Sequence, residues 1–152
     1  MTRPDVEPLR ELLHRFLVRY LTVRPGGFEL HKGERLQPEV EARILGHGGA
    51  RTLYQNRKPE CRSLDGVRPV TGDTDRSCAD CDLRSGCTPQ VRLDLFIERQ
   101  AFRLLLAYSS ARAFFLYEAK LHKQSVAVED VVTKIVVVNR GSWGELRFSQ
   151  RD

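Results

Sequence analysis

The first regular feature of the chain is an apolar stripe in which Leu9, Leu12, Leu13, Phe16, Leu17 and Tyr20 recur every three or four positions. That spacing gathers them on one side of a helix, so residues 5–21 are expected to form an amphipathic helix. Asp5 is placed to cap it, and Pro8 fits its first turn, where no backbone donor is missed. Pro25-Gly26-Gly27 then stops the chain, and Phe28 to Leu36 suggests a short hairpin around Lys32-Gly33. Residues 38–46 fit helix and strand equally well and end at His47-Gly48-Gly49, while residues 51–55 read as a short strand. From residue 91 the period changes to two. Val91, Leu93, Leu95 and Ile97 alternate with Arg92, Asp94, Phe96 and Glu98, and Phe102, Leu104, Leu106 and Tyr108 alternate again. This is the pattern of a half-buried β-hairpin. A helix is expected from a Ser109 or Ser110 cap to about Lys123, with Phe114, Phe115, Tyr117 and Leu121 turned inward. The β-branched run Val131–Val138 predicts a strand, 139–142 a turn, and Trp143–Phe148 the last strand.

The resulting order is strand, long loop, strand, strand, helix, strand, strand. It matches an OB-fold, a five-stranded Greek-key barrel. The expected fold class is therefore α+β: a small OB-like barrel of five strands, with the helix between strands three and four. A chain of 152 residues fits one domain. Within it, residues 1–50 form a helical extension, 51–148 the β-rich core, and 57–90 a loop inserted in that core.

The inserted loop carries the chemistry. It has almost no apolar content, yet it holds all four cysteines, Cys61, Cys78, Cys81 and Cys87. A long polar stretch inside a compact domain needs a cross-link of its own to be ordered. Two residues separate Cys78 from Cys81, and that spacing projects both sulfurs toward one tetrahedron while Cys61 and Cys87 complete the set. A structural zinc ion is the expected cofactor, with an iron–sulfur cluster as the alternative. Disulfides are disfavoured because the charged N-terminal stretch lacks the apolar segment of a signal peptide, which also places the chain in the cytoplasm. No apolar run reaches the roughly 20 residues that a membrane helix needs, so no membrane association is expected.

Residues 59–66, Pro-Glu-Cys-Arg-Ser-Leu-Asp-Gly, followed by Cys78-Ala79-Asp80-Cys81 and the later Cys87, resemble a group of small cysteine-rich proteins from phages and integrated mobile elements. Those proteins carry a C-R-S-x-D-G element, a C-x-x-C pair, a last cysteine and a strand-rich half. The resemblance spans about residues 51–148 and implies a setting in replication or recombination; it says little about activity.

No enzyme is expected. Glu118-Ala119-Lys120 matches the E-x-K of nuclease folds, but it falls on a helix where those enzymes use a strand. A phosphate-binding loop and a nucleophile elbow are both lacking. The net charge of +5 permits a polyanionic partner without demanding one. The function expected is non-enzymatic binding of single-stranded nucleic acid, DNA in the first place. Aromatics would stack the bases while basic side chains follow the phosphates. Tyr54, Trp143 and Phe96 are the candidate platforms, and Arg51, Arg57, Lys58, Arg62, Lys134, Arg140 and Arg147 the candidate phosphate contacts. The alternative is a zinc-stabilised adaptor that docks replication or recombination proteins and has no nucleic-acid affinity of its own.

Overall fold

The computed structural model describes residues 18–66, 69–72, 77–81, 83 and 86–151. Among these residues, ten strands and one long helix run in the order β1 (Arg19–Tyr20), β2 (Thr22–Arg24), β3 (Gly27–Glu29), β4 (Glu39–Gln55), β5 (Lys58–Ser63), β6 (Pro69–Thr71), β7 (Thr88–Ile97), β8 (Gln100–Leu106), α1 (Tyr108–Lys123), β9 (Val132–Asn139) and β10 (Gly144–Gln150). All strands but β2 and β3 join one eight-stranded sheet. Its pairs are antiparallel except β1 with β8, which is parallel.

Strand β4 is the axis of the sheet. One of its edges pairs with β7 from Arg43 to Thr52. The other edge serves two neighbours, β9 at Glu39–Arg43 and β5 at Arg51–Gln55. A bulge makes this possible. Ile44 faces Leu95 and Gly46 faces Asp94, so Leu45 is an extra residue. Such an insertion bends a strand and increases its local twist.

The core lies where period-two burial predicts it. Leu93, Leu95 and Ile97 of β7 and Phe102, Leu104 and Leu106 of β8 are buried together under Phe114, Tyr117 and Leu121 of α1. Those three helix residues follow three- and four-residue spacing, and Ser110 extends their face toward the helix start. Phe115 sits one position round from Phe114 and is 44% exposed, so it does not join the inward set. Neither serine caps the helix. The cap position is Ala107, without a side-chain bond, and Ser110 instead accepts the Leu146 amide of β10 at 3.1 Å.

The OB-like five-stranded α+β barrel expected from the sequence is not formed; the protein is mostly β and its eight-stranded sheet does not close. The outer edge of β8 is taken by β1, with the Leu21 amide adding a bond to the Arg103 carbonyl, and β10 pairs with β9 alone. Residues 39–55 form one continuous strand that runs through Gly46, Gly48 and Gly49, and the expected loop contributes strands β5 and β6. Residues 19–20 are strand where a helix was expected, and the rest of that stripe, up to Leu17, lies outside the described residues. The hairpin turns at Pro25-Gly26, between β2 and β3, and beyond it a single bridge joins Phe28 to Gln37. Among the described residues, no helix is long and apolar enough to cross a membrane.

Candidate metal centre and nucleic-acid face

Strand register decides which side chains of the β4–β5 hairpin share a face. Arg51 faces Ser63 and Leu53 faces Cys61 on one side, while Thr52 faces Arg62 on the other. The first side holds the thiols. Cys78 opens a single 3-10 turn, and the Cys81 amide closes it on the Cys78 carbonyl at 3.3 Å. Ser77 caps this turn, its hydroxyl accepting the Asp80 amide at 3.3 Å and donating to the Asp80 carboxylate at 2.8 Å. Cys87 lies just before β7, its thiol 3.8 Å from the Leu83 carbonyl. All four cysteines line one cavity of about 20 Å³, together with Arg51, Ser63 and Pro69. That volume suits one water-sized occupant.

The thiols are free and close enough to influence one another. Burial pushes the Cys87 thiol above its ordinary range, Cys61 and Cys81 push it further, and Arg51 opposes them. Gly72 brings bare backbone against Cys61: a side chain there would place its Cβ 2.9 Å from the Cys61 Cβ and 3.0 Å from its sulfur. The expected four-cysteine metal loop nevertheless needs correction. Among the described residues, no three or more histidines, cysteines, aspartates or glutamates are arranged to hold a metal ion. The four cysteines line the cavity, and the Cys87 thiol lies toward the Leu83 carbonyl. The donor set itself, four thiols with one small cavity between them, fits a thiophilic cation.

The second face has a different character. Tyr20 is the register partner of Arg103, Arg103 of Asp94, and Gly48 of Arg92. Arg92 and Arg103 share the Asp94 carboxylate, at 3.4 and 3.9 Å from their Nε atoms. Both Nε atoms are buried without a hydrogen-bond acceptor. Arg92 also donates to the Leu64 carbonyl. Arg62 donates to the Thr52 hydroxyl at 3.4 Å, and its guanidinium lies 4.8 Å over the Tyr20 ring. Three strands separate β1 from β5 in the sheet, so that contact requires this face to be concave. Two guanidinium groups thus share one carboxylate, and a third lies over the exposed tyrosine at the rim of the same hollow.

The residues expected to bind nucleic acid divide accordingly. Arg62 is in the hollow, and Tyr54, 42% exposed, is tied to the same face by the Gln90 amide. Arg57 and Lys58 are at the exposed tip of the β4–β5 hairpin, where Asn56 and Arg57 take positive φ. Phe96 is on the hollow's face by register but half-buried. Trp143 is exposed and shares a cleft with Val23, Pro25 and Leu105; Leu105 is the register partner of Arg92. Arg51 lines the thiol cavity instead. Lys134 pairs with Glu39 at 3.3 Å and Arg140 with Glu145 at 2.9 Å, and Arg147 lies on β10. Tyr20, Arg92 and Arg103 were not among the expected residues. Their signal was present for two of them, since alternation on β7 and β8 already turned Arg92 and Arg103 away from the core.

The chain matches no family model, no curated protein and no solved structure.

Proposed function

We propose that the protein is a non-enzymatic binder of single-stranded nucleic acid, DNA in the first place, which lies across the concave face. The carrying observation is the hollow itself, where Arg92 and Arg103 share the Asp94 carboxylate and the Arg62 guanidinium reaches across to the Tyr20 ring, so that cationic charge exceeds that carboxylate. Phosphate oxygens supply acceptors of the right charge. Tyr20, beside Arg62, and Tyr54 and Trp143 offer exposed rings, and every base has a face to stack on them. A role in replication or recombination of a phage or mobile element rests on the C-R-S-x-D-G element and its following cysteines.

Cys61, Cys78, Cys81 and Cys87 are the residues that hold zinc in this reading, with an iron–sulfur cluster as the other thiolate-bound possibility. Bound zinc supplies a cross-link and positive charge that stabilises thiolates. It ties β5 to the segment before β7, and so holds Arg62 in place relative to Arg92. The competing reading, an adaptor without nucleic-acid affinity, draws on a different surface described below.

Titration of a fluorescent single-stranded oligonucleotide at two salt concentrations tests the proposal. Arg103→Gln is expected to weaken binding and flatten its salt dependence by about 0.7 of a logarithmic slope unit for a lost phosphate contact. A folded parent that does not bind at low salt would overturn it.

A further inference from the structure

The last strand leaves an unfinished edge. The Leu146 amide donates to Ser110 of α1, so residue 146 turns its backbone polar groups away from β9. The Arg151 amide, which donates to the Val132 carbonyl, fixes the same alternation from the other end. In an antiparallel ladder these groups alternate, so Phe148 and Gln150 also direct their N–H and C=O away from β9. Ser110 blocks the edge only at Leu146; among the described residues nothing hydrogen-bonds the outward N–H and C=O groups of Phe148 or Gln150. Native edges are commonly blunted by proline, a bulge or a covering element. Among the described residues, the segment Phe148–Gln150 has none of these.

Beside that edge lies a groove of about 560 Å³ walled by α1. Its floor is Tyr117 stacked on Phe148 at 6.2 Å, and its outer lip is Leu116, 62% exposed. Lys120 and Arg147 line it, and neither has an ionic or hydrogen-bonded partner among the described residues. Glu145, the one carboxylate among the described residues that line it, is already paired with Arg140.

We propose that this groove binds an extended acidic peptide segment of another protein, added as a strand to β10. Backbone pairing to Phe148 and Gln150 supplies the register, an apolar side chain covers Phe148 and Leu116, and carboxylates meet Lys120 and Arg147. A second copy of the chain is the poorer occupant, because symmetric pairing of two β10 edges sets Lys120 and Arg147 near their own counterparts. Nucleic acid is also poorer: it has no row of donors for the outward carbonyls, and those carbonyls repel phosphate.

The probe is a blocked peptide of about six residues alternating valine and aspartate, with a valine–lysine peptide as control, added to the isotopically labelled full chain. Saturable binding of the acidic peptide is expected, with shifts and slowed hydrogen exchange centred on the Phe148 and Gln150 amides. Gln150→Pro removes an outward donor without touching the β9 ladder and should weaken binding about tenfold or more at unchanged melting temperature. The double variant Lys120→Glu, Arg147→Glu should lose the acidic peptide and gain the lysine one. No saturable binding, or indifference to both variants, overturns the proposal. So do shifts centred on Arg62 and Arg92, concentration-dependent protection of Phe148 without peptide, or the same amides responding to a single-stranded oligonucleotide. These outcomes assign the edge, respectively, to no site, to the hollow, to a second copy, or to nucleic acid.

Discussion

Tyr117 of α1 and Thr133 of β9 share a hydrogen bond of 2.8 Å inside the apolar core, and Thr133 is fully buried. A buried hydroxyl that loses its partner keeps its desolvation penalty, so Tyr117→Phe is expected to cost about 1–3 kcal/mol by urea unfolding. Burial also holds the Tyr117 phenol above its ordinary value of 10.0, with the Thr133 bond opposing in part. The folded state therefore grips this proton more tightly than the unfolded chain does. Its contribution is intact below the ordinary value and is lost as pH rises through the higher folded one. The parent should lose stability more steeply than Tyr117→Phe on the alkaline side, and parallel pH curves would count against this account.

Purified without chelators, the protein is expected to carry about one equivalent of zinc and to be colourless. A brown protein absorbing in the visible would show an iron–sulfur cluster. Cys81→Ser should lose the metal and open the segment between Ser63 and Thr88 to protease. The alternating strands β7 and β8 should stay resistant, because their core contacts lie elsewhere.

Gly72→Ala provides a separate probe of the thiol cavity. Gly72 has a φ of +84° and its missing Cβ would press on Cys61. A cost of about 1–3 kcal/mol is expected from strain alone, together with weaker retention of zinc against a chelator. Gly33→Ala is the control, since Gly33 also has a φ of +84° but nothing lies within 4 Å of its added Cβ. Equal zinc retention in both variants would remove Gly72 from the site.

Trp143→Ala should weaken oligonucleotide binding by about 1–3 kcal/mol if the ring stacks a base. The melting temperature should change little, because the ring is 47% exposed. Lys134→Ala should leave affinity nearly unchanged, since Lys134 is held by Glu39. A larger loss from Lys134→Ala than from Arg103→Gln would relocate the binding face.

Strands β7, β8, β9 and β10 and helix α1 were legible in the sequence because each buries one side and leaves the other wet. Strand β4 was not. Val40, Ala42 and Ile44 keep one phase, but the bulge at Leu45 resets it, so that Ala50 and Thr52 are buried on the opposite face. No single period survives along 39–55, and its glycines read as a stop. Tyr20 fitted a helical stripe, and pairing with β8 overrode that local preference. The four cysteines were legible as a group from spacing alone, while the Arg51, Ser63 and Pro69 that line their cavity were not. The basic residues were hardest to sort. Lys134 and Arg140 look like Arg92 and Arg103 in sequence, and only tertiary pairing separates those neutralised by Glu39 and Glu145 from those crowded around Asp94.

The two ends of β4 find their partners at very different times as the chain is made. Gln55 faces Lys58, so the hairpin bearing Cys61 has all its residues soon after β4 itself has emerged. Glu39 faces Val136, and that end must wait until β9 has been made. A nascent molecule therefore holds the thiol hairpin before it holds a hydrophobic sheet, with Val40, Ala42 and Ile44 uncovered in the interval. Pairing across such a separation folds slowly and leaves strand edges open to other chains, so high-level expression at lower temperature should favour soluble product.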